Sequence, residues 1–196
     1  MSGLAEIYDA TLTPGKMDLL RSWLPGQPWF DGDVASLEQV TTYRFVDPDG
    51  AVGMESFLLR DGARTFHVPV TYRGAELPGA EDALVGTLDH SVLGPRWVYD
   101  AERDPVYVSE VRRTICRRDS AADHQAMEDG SITPSPVNIR GGGDCRSEQV
   151  DVRVIRVVSE EYDSEDGDPV VGAPGTLTGT WGDADGSHTA VLAVLA

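Results

Sequence analysis

"EQVTTYRFVDPDGAVGMESFLLRDGARTFHVPVTYRG", residues 38–74, decides the fold. Its first run sets Val40, Thr42, Arg44 and Val46 against Thr41, Tyr43 and Phe45, the two-residue period of a strand. Asp-Pro-Asp-Gly (47–50) and Asp-Gly (61–62) then interrupt the apolar runs with residues that favour tight turns. The spacing predicts three strands joined by hairpins, an antiparallel meander. In the third strand Phe66, Val68, Val70 and Tyr72 share one face, and His67, Pro69 and Thr71 share the other. Pro69 has no N–H to give to a ladder, which predicts an edge position or a bulge there.

Working outward, "AEIYDATL" (5–12) predicts a short strand. A helix is predicted from about Thr13 to Trp23, with Thr13 as its cap and Pro14 in its first turn. Met17, Leu19, Leu20, Trp23 and Leu24 give it an apolar face, and Pro25 and Gly26 stop it. "ALVGTLDHSVLGPRWVYD" (83–100) predicts a further hairpin. "DPVYVSEVRRTICRR" (104–118) predicts a helix capped by Asp104, with Val108, Val111 and Ile115 facing inward. Residues 1–117 therefore read as an α+β core, an antiparallel sheet packed with one or two helices.

Residues 118–148 are polar and rich in Gly, Ser and Pro, and are expected to form a flexible linker that cannot offset the entropy of ordering. Residues 149–196 return to strand patterns around the acidic stretch "SEEYDSEDGDP" (159–169), with a hairpin about "GDADGS". The final strand is apolar on both faces and suits an interior position. Residues 149–196 are accordingly expected to complete the same sheet.

The chain of 196 residues carries 33 Asp and Glu against 16 Lys and Arg, a formal charge of −17. That balance repels phosphate backbones and anionic lipid, so nucleic acid and membrane are not expected partners. No apolar run has the length of a membrane span, and no basic segment leads into an apolar one at the start, so a cytoplasmic protein is expected. Cys116 and Cys145 form no C-x-x-C pair, and in that compartment both are expected as free thiols.

Chemistry-bearing motifs are sparse. His67, His90, His124 and His188 fall in separate elements with no zinc-type spacing, and no metal ligand set is expected. "DPDG", "DADG" and "DSEDGD" echo calcium loops but lack the spaced oxygen ligands. "RGGGD" (140–144) follows no apolar strand and precedes no Lys-Ser/Thr pair, so it reads as flexibility and not as a phosphate cradle. No G-x-S-x-G elbow is present, and Asp89 and His90, as strand neighbours, point to opposite faces. No cofactor is expected. The aromatic residues remain: Trp23, Gln27, Trp29, Phe30, Trp97 and Tyr99 are the candidate ligand- or partner-binding residues, set against the plainer reading of packing anchors.

"WLPGQPWF" (23–30), after a helix beginning "LTPGKMDLL", resembles the start of the maltokinase N-terminal cap domain, whose members carry a leucine-proline-x-glutamine-arginine-tryptophan-phenylalanine signature. "HVPVTYRG" (67–74), "ALVGTLDH" (83–90) and "WVYDAERDPVYVSEV" (97–111) follow in the family's order, so that the resemblance covers roughly residues 3–116. The remainder is similar to stand-alone actinobacterial cap-like proteins. Two departures stand out: Pro28 occupies the arginine position, and "DGD" (31–33) replaces a glycine-glycine-lysine. The resemblance implies a curved antiparallel sheet with helices, of the kind that packs over a kinase N-lobe. Neither the catalytic aspartate loop nor the metal-binding aspartate motif of phosphotransfer has a match, and the residues after 116 are too few to hold that body.

The expected function is a non-catalytic cap-like module that binds a protein partner or a second copy of itself, with a link to trehalose and glycogen metabolism. The alternative is a small-molecule or carbohydrate-binding protein, and a further variant is an accessory subunit of a sugar kinase. An independent enzyme would need His67 or His90 in a pocket beside Asp89 or Glu55.

Overall fold

The computed structural model describes residues 3–62, 64–143, 151–159, 170 and 172–196, with fourteen strands and two helices among them. The predicted meander forms as β3 (Glu38–Val46), β4 (Val52–Asp61) and β5 (Arg64–Arg73). The turn at 47–50 sets Val46 opposite Gly53, and the turn after β4 sets Asp61 opposite Arg64. Asp47 holds the first turn by accepting from the N–H groups of Asp49, Ala51 and Val52. The predicted second hairpin is β6 (Leu84–His90) and β7 (Gly94–Asp100), and β7 pairs with the second half of β5. With β2 (Leu12–Thr13) on β6 and β12 (Val157–Val158) on β5, these strands make one seven-stranded antiparallel sheet, strongly curled into a half-barrel. The α+β expectation, a curved sheet with two helices, describes the molecule.

Both faces of this sheet are buried. Phe57, Leu59, Phe66, Val68, Val70, Leu88 and Val98 pack with Leu19, Leu20 and Leu24 of α1 (Lys16–Trp23) and the 3-10 turn after it. On the other face, Tyr43, Phe45, Met54 and Leu58 pack against Tyr107, Val111 and Ile115 of α2 (Pro105–Arg117). Asp104 starts α2 as predicted, accepting from the N–H of Val106. Its fully buried carboxylate also accepts from Thr71 Oγ1 at 2.8 Å and from Arg73 Nε and Nη2 at 2.7 Å each. The helix is thereby fastened to β5 by charge-assisted bonds at its first turn.

Pro69 occupies a gap rather than an edge. His67 donates its N–H to Arg156 O beside β12, and the pairing with β7 begins at Val70. By the two-residue alternation the Pro69 nitrogen faces that same side, between the ends of two neighbouring strands, where no ladder bond is lost.

Five further expectations differ from what is observed. Helix α1 begins at Lys16 with Gly15 as its cap, because Thr13 is already engaged with Asp89 in β2. The expected linker at 118–148 is structured over its described part. It carries β8 (Asp123–Ala126), β9 (Ile132–Thr133) and β10 (Asn138–Gly143), and buries Ala121, Ala122, Val137 and Ile139. The glycines of "RGGGD" permit close approach instead of flexibility: a Cβ on Gly141 would lie 2.0 Å from Thr114 O, and one on Gly143 2.4 Å from Gly175 Cα.

The C-terminal strands do not simply extend the first sheet. β11 (Val152–Val154), β13 (Gly175–Asp183) and β14 (Gly186–Leu195) join β10 in a separate four-stranded sheet, in which β14 is interior as its two apolar faces predicted. Only β12 crosses to the larger sheet, and the two sheets share the core around α2. The sequence pattern of strand residues could not separate these outcomes, since both satisfy the same apolar faces. Finally, Cys116 is disulfide-bonded and not a free thiol. Cys145 and the acidic stretch at 160–169 lie outside the described residues. No described helix is long and apolar enough to cross a membrane.

One buried polar contact ties the two sheets directly. His67 Nδ1 lies 3.1 Å from Leu192 O of β14 and must donate to it, which leaves Nε2 to accept from Tyr43 Oη at 2.9 Å. Burial, with the nearby Arg156 charge second, lowers the His67 pKa to about 3, so the ring is neutral. An unfolded chain takes up this proton below its ordinary pKa of 6.5, whereas the folded one does not until far lower pH. Stability from His67 is therefore present above pH 6.5 and is lost as pH falls toward about 3. We expect His67→Gln to be less stable at neutral pH by about 2 kcal/mol. Its deficit against the parent should shrink by about 1.4 kcal/mol per pH unit below pH 6.5, read from urea midpoints.

Candidate functional site

The principal cavity is a cleft of about 500 Å³ between the curled sheet and the N-terminal segment. One wall is β1 (Leu4–Ile7) with Tyr8, Ala10 and Leu12, and β1 is held there by parallel pairing with β8. The opposite wall is the β3–β4 turn and the start of β4, from Asp47 to Met54. Arg44, Tyr72, Leu88, His90 and Arg96 come from the sheet, and Lys16 from the first turn of α1.

Cross-strand register places the polar residues. Arg44 lies directly opposite Glu55, and Tyr72 opposite Gly53, so one face of β3–β4–β5 presents all three side chains at one end. Glu55 is 5% exposed. It receives Lys16 Nζ at 2.7 Å, Arg44 Nη2 at 2.9 Å and Tyr72 Oη at 2.9 Å. Burial works against its ionisation, yet the Arg44 and Lys16 charges and the bonds from Lys16 and Tyr72 outweigh this and leave its pKa below the usual carboxylate range. Burial and the same carboxylate push the Tyr72 phenol well up, so Tyr72 stays a donor.

His90 is set in the opposite sense. Its Nδ1 accepts from the N–H groups of Val92 at 3.2 Å and Leu93 at 3.1 Å, which puts the proton of the neutral ring on Nε2. Burial lowers its pKa, and Arg96 and Lys16 lower it further. Tyr8 meets the ring edge-on at 5.9 Å. Arg96 makes one long bond to Pro95 O at 3.4 Å and has no carboxylate in ion-pair range among the described residues.

None of the six candidates from the sequence lines this cleft. Trp23, Trp29 and Phe30 form an edge-to-face series, with centroids 5.9 and 6.3 Å apart, that ends on Phe66 at 4.9 Å. Gln27 closes the turn by giving its side chain to Trp23 O at 3.4 Å. Trp97 and Tyr99 lie on the far face of β7, in a small cluster with Ala80 and Ala83, and the Tyr99 hydroxyl accepts from the N–H of Leu77. Trp97 also borders a shallow groove of about 320 Å³ with Thr13, Thr87 and Asp89. The candidates thus divide between two separate clusters.

Residues 23–104 match the maltokinase N-terminal cap domain. The cap match spans less than half of the chain and takes in Arg44, Glu55, Tyr72, His90 and Arg96, but not Lys16 or β1. No curated protein matches the chain. At the departures from the cap signature, Pro28 is exposed, and Asp31 pairs with Arg64 at 2.5 Å. A cation nevertheless stands at the signature tryptophan: the Arg156 guanidinium lies 5.0 Å from the Trp29 ring and bonds to Asp100 and Glu102. It reaches the cap from β12's side of the chain, outside the matched residues.

The residues that line the cleft were not singled out in the sequence, apart from His90, with Glu55 beneath them. The turn at 47–50 contained the missing signal, since the pairing of Val46 with Gly53 carries Arg44 onto Glu55 two residues further out. Lys16 had no such marker. His67, the other histidine considered for chemistry, is fully buried in the packing between sheets. Among the described residues, no group of three or more His, Cys, Asp or Glu is placed to hold a metal ion.

Removing the Glu55 charge leaves Lys16 and Arg44 facing each other across a buried position. Glu55→Gln should cost about 3 kcal/mol of stability in urea unfolding at neutral pH. The parent should lose stability from Glu55 as pH falls below the ordinary value of 4.5 through the lowered folded pKa, whereas the variant has no such loss. The two curves should therefore converge in acid.

Proposed function

We propose that the chain is a maltokinase-related cap module that works by binding a small molecule in the cleft between β1 and the curled sheet. One observation carries this reading: a cavity of about 500 Å³ combines apolar walls with convergent polar groups whose geometry is fixed by buried bonds. Its role is binding and not catalysis, because every group at the cleft that could act as a base already has a partner: Glu6 accepts from Tyr8, and Asp47 from three backbone N–H groups. Glu55 is held by two cations and a phenol, and His90 Nδ1 by two backbone N–H groups. A cytoplasmic setting stays part of the proposal, with the Cys116 disulfide as the observation against it.

The protein-partner reading, including self-association or service to a sugar kinase in trehalose and glycogen metabolism, has its own support. Met127 and Ile132 are exposed at 44% and 55% around the β8–β9 hairpin beside β1. Calorimetry with maltose, trehalose and glucose 6-phosphate separates the two. The cleft reading expects saturable heat with at least one of these, at a Kd of about 1 mM or tighter. Ala51→Trp, which fills the cleft mouth from an exposed position, should weaken it by about tenfold or more. Silence with all three ligands, together with a dimer or larger species in light scattering, would favour the partner reading instead.

A further inference from the structure

At the end of the cleft formed by Arg96 and His90, the groups left without a strong partner are donors, with no carboxylate in ion-pair range among the described residues. Two carboxylates line the cleft, Glu6 and Asp47, with Glu55 beneath the lining, and each has a partner. Glu6 accepts from Tyr8 Oη at 2.6 Å. Asp47 accepts from three backbone N–H groups, and Glu55 from Lys16, Arg44 and Tyr72. The donors are in surplus. Arg96 spends one N–H on a 3.4 Å contact, and Lys16 Nζ uses one of its three hydrogens on Glu55. His90 keeps Nε2–H for the cavity, because its other nitrogen is occupied. A ligand that satisfies this surface must bring acceptors.

Charge points the same way in this region. The groups acting on His90 are Arg96, Lys16 and, more weakly, Arg44, all of them cationic. Across the whole cleft Lys16, Arg44 and Arg96 are balanced by Glu6, Asp47 and the Glu55 beneath, so in a chain with a formal charge of −17 the cationic character is confined to the end at Arg96 and His90. Apolar surface from Leu12, Val52 and Leu88 completes the lining.

We propose that Arg96, the Nε2–H of His90 and Lys16 form a subsite for the anionic group, phosphate or carboxylate, of a small metabolite whose body lies along the apolar wall. This rests on the cleft being a ligand site. A phosphate or carboxylate would take the N–H groups of Arg96 in its planar fork, with His90 donating from the side and Lys16 completing the charge.

Three probes of similar body test it: glucose, glucose 6-phosphate and glucuronate, titrated calorimetrically into the full chain. We expect at least one of the two anions to bind about tenfold or more tightly than glucose, the value of a charge-assisted bond. Which anion wins separates phosphate from carboxylate. Arg96→Gln, at a partly exposed position with no buried ion pair, should bring the preferred anion down to the level of glucose. NMR of the His90 ring should show its titration moving to higher pH on binding of that anion in the parent and much less in the variant. Equal binding of all three probes overturns the anion subsite while leaving the cleft as a ligand site. No saturable binding of any probe overturns both. A preference for anions that survives Arg96→Gln without moving His90 also overturns it, by placing the anion elsewhere.

Discussion

Burial of both faces of the β4–β5 hairpin is the constraint on which the rest of the molecule depends. A strand with one wet face can send its polar residues outward, but these strands have nowhere to send theirs. Glu55, His67 and Thr71 are enclosed, and an enclosed polar group without a partner costs several kcal/mol. Each finds its partner on a different element: Glu55 on Lys16 of α1, Thr71 on the cap of α2, His67 on Leu192 of β14. Hydrophobic packing brings these elements to the hairpin, and the polar bonds choose the position at which each one stops.

The three attachments differ in kind. Asp104 serves a helix start, a threonine and an arginine at once, so its charge is dispersed over several short bonds. His67 makes its two bonds as a neutral ring, which suits a site between sheets where a charge would be expensive. Glu55 alone lies directly beneath the lining of the cleft. Its partners are partly exposed, with 29% of the Lys16 side chain and 17% of the Arg44 side chain accessible, so this polar cluster also faces the cavity.

Much of this was legible in the residues. Asp-Pro-Asp-Gly and Asp-Gly located both turns of the meander, and Asp104-Pro105 located the start of α2 within a residue. The alternation along β5 assigned its two faces. What escaped had one physical origin, which is contact between segments distant in sequence. The polar run after 118 has few large apolar residues, yet Val137 and Ile139 are buried and its small ones fit a crowded place, as Gly141 does against the end of α2. Glycine reads locally as freedom, and only the neighbouring helix turns it into a requirement. The aromatic octet at 23–30 leaves two readings open in the sequence, a binding surface and a packing anchor. In the fold its rings run inward to Phe66, with Arg156 laid over Trp29.

The parallel pairing of β1 with β8 has a consequence for how such chains should be compared. Both strands lie outside the stretch that matches the cap domain, as does Lys16, while the floor they enclose lies within it. The cavity is therefore a composite. A relative could keep every matched residue and have no pocket at all, if its leading segment took another course. Similarity over residues 23–104 thus reports a shared platform, and whether two such proteins share the cleft depends on the segments on either side of it.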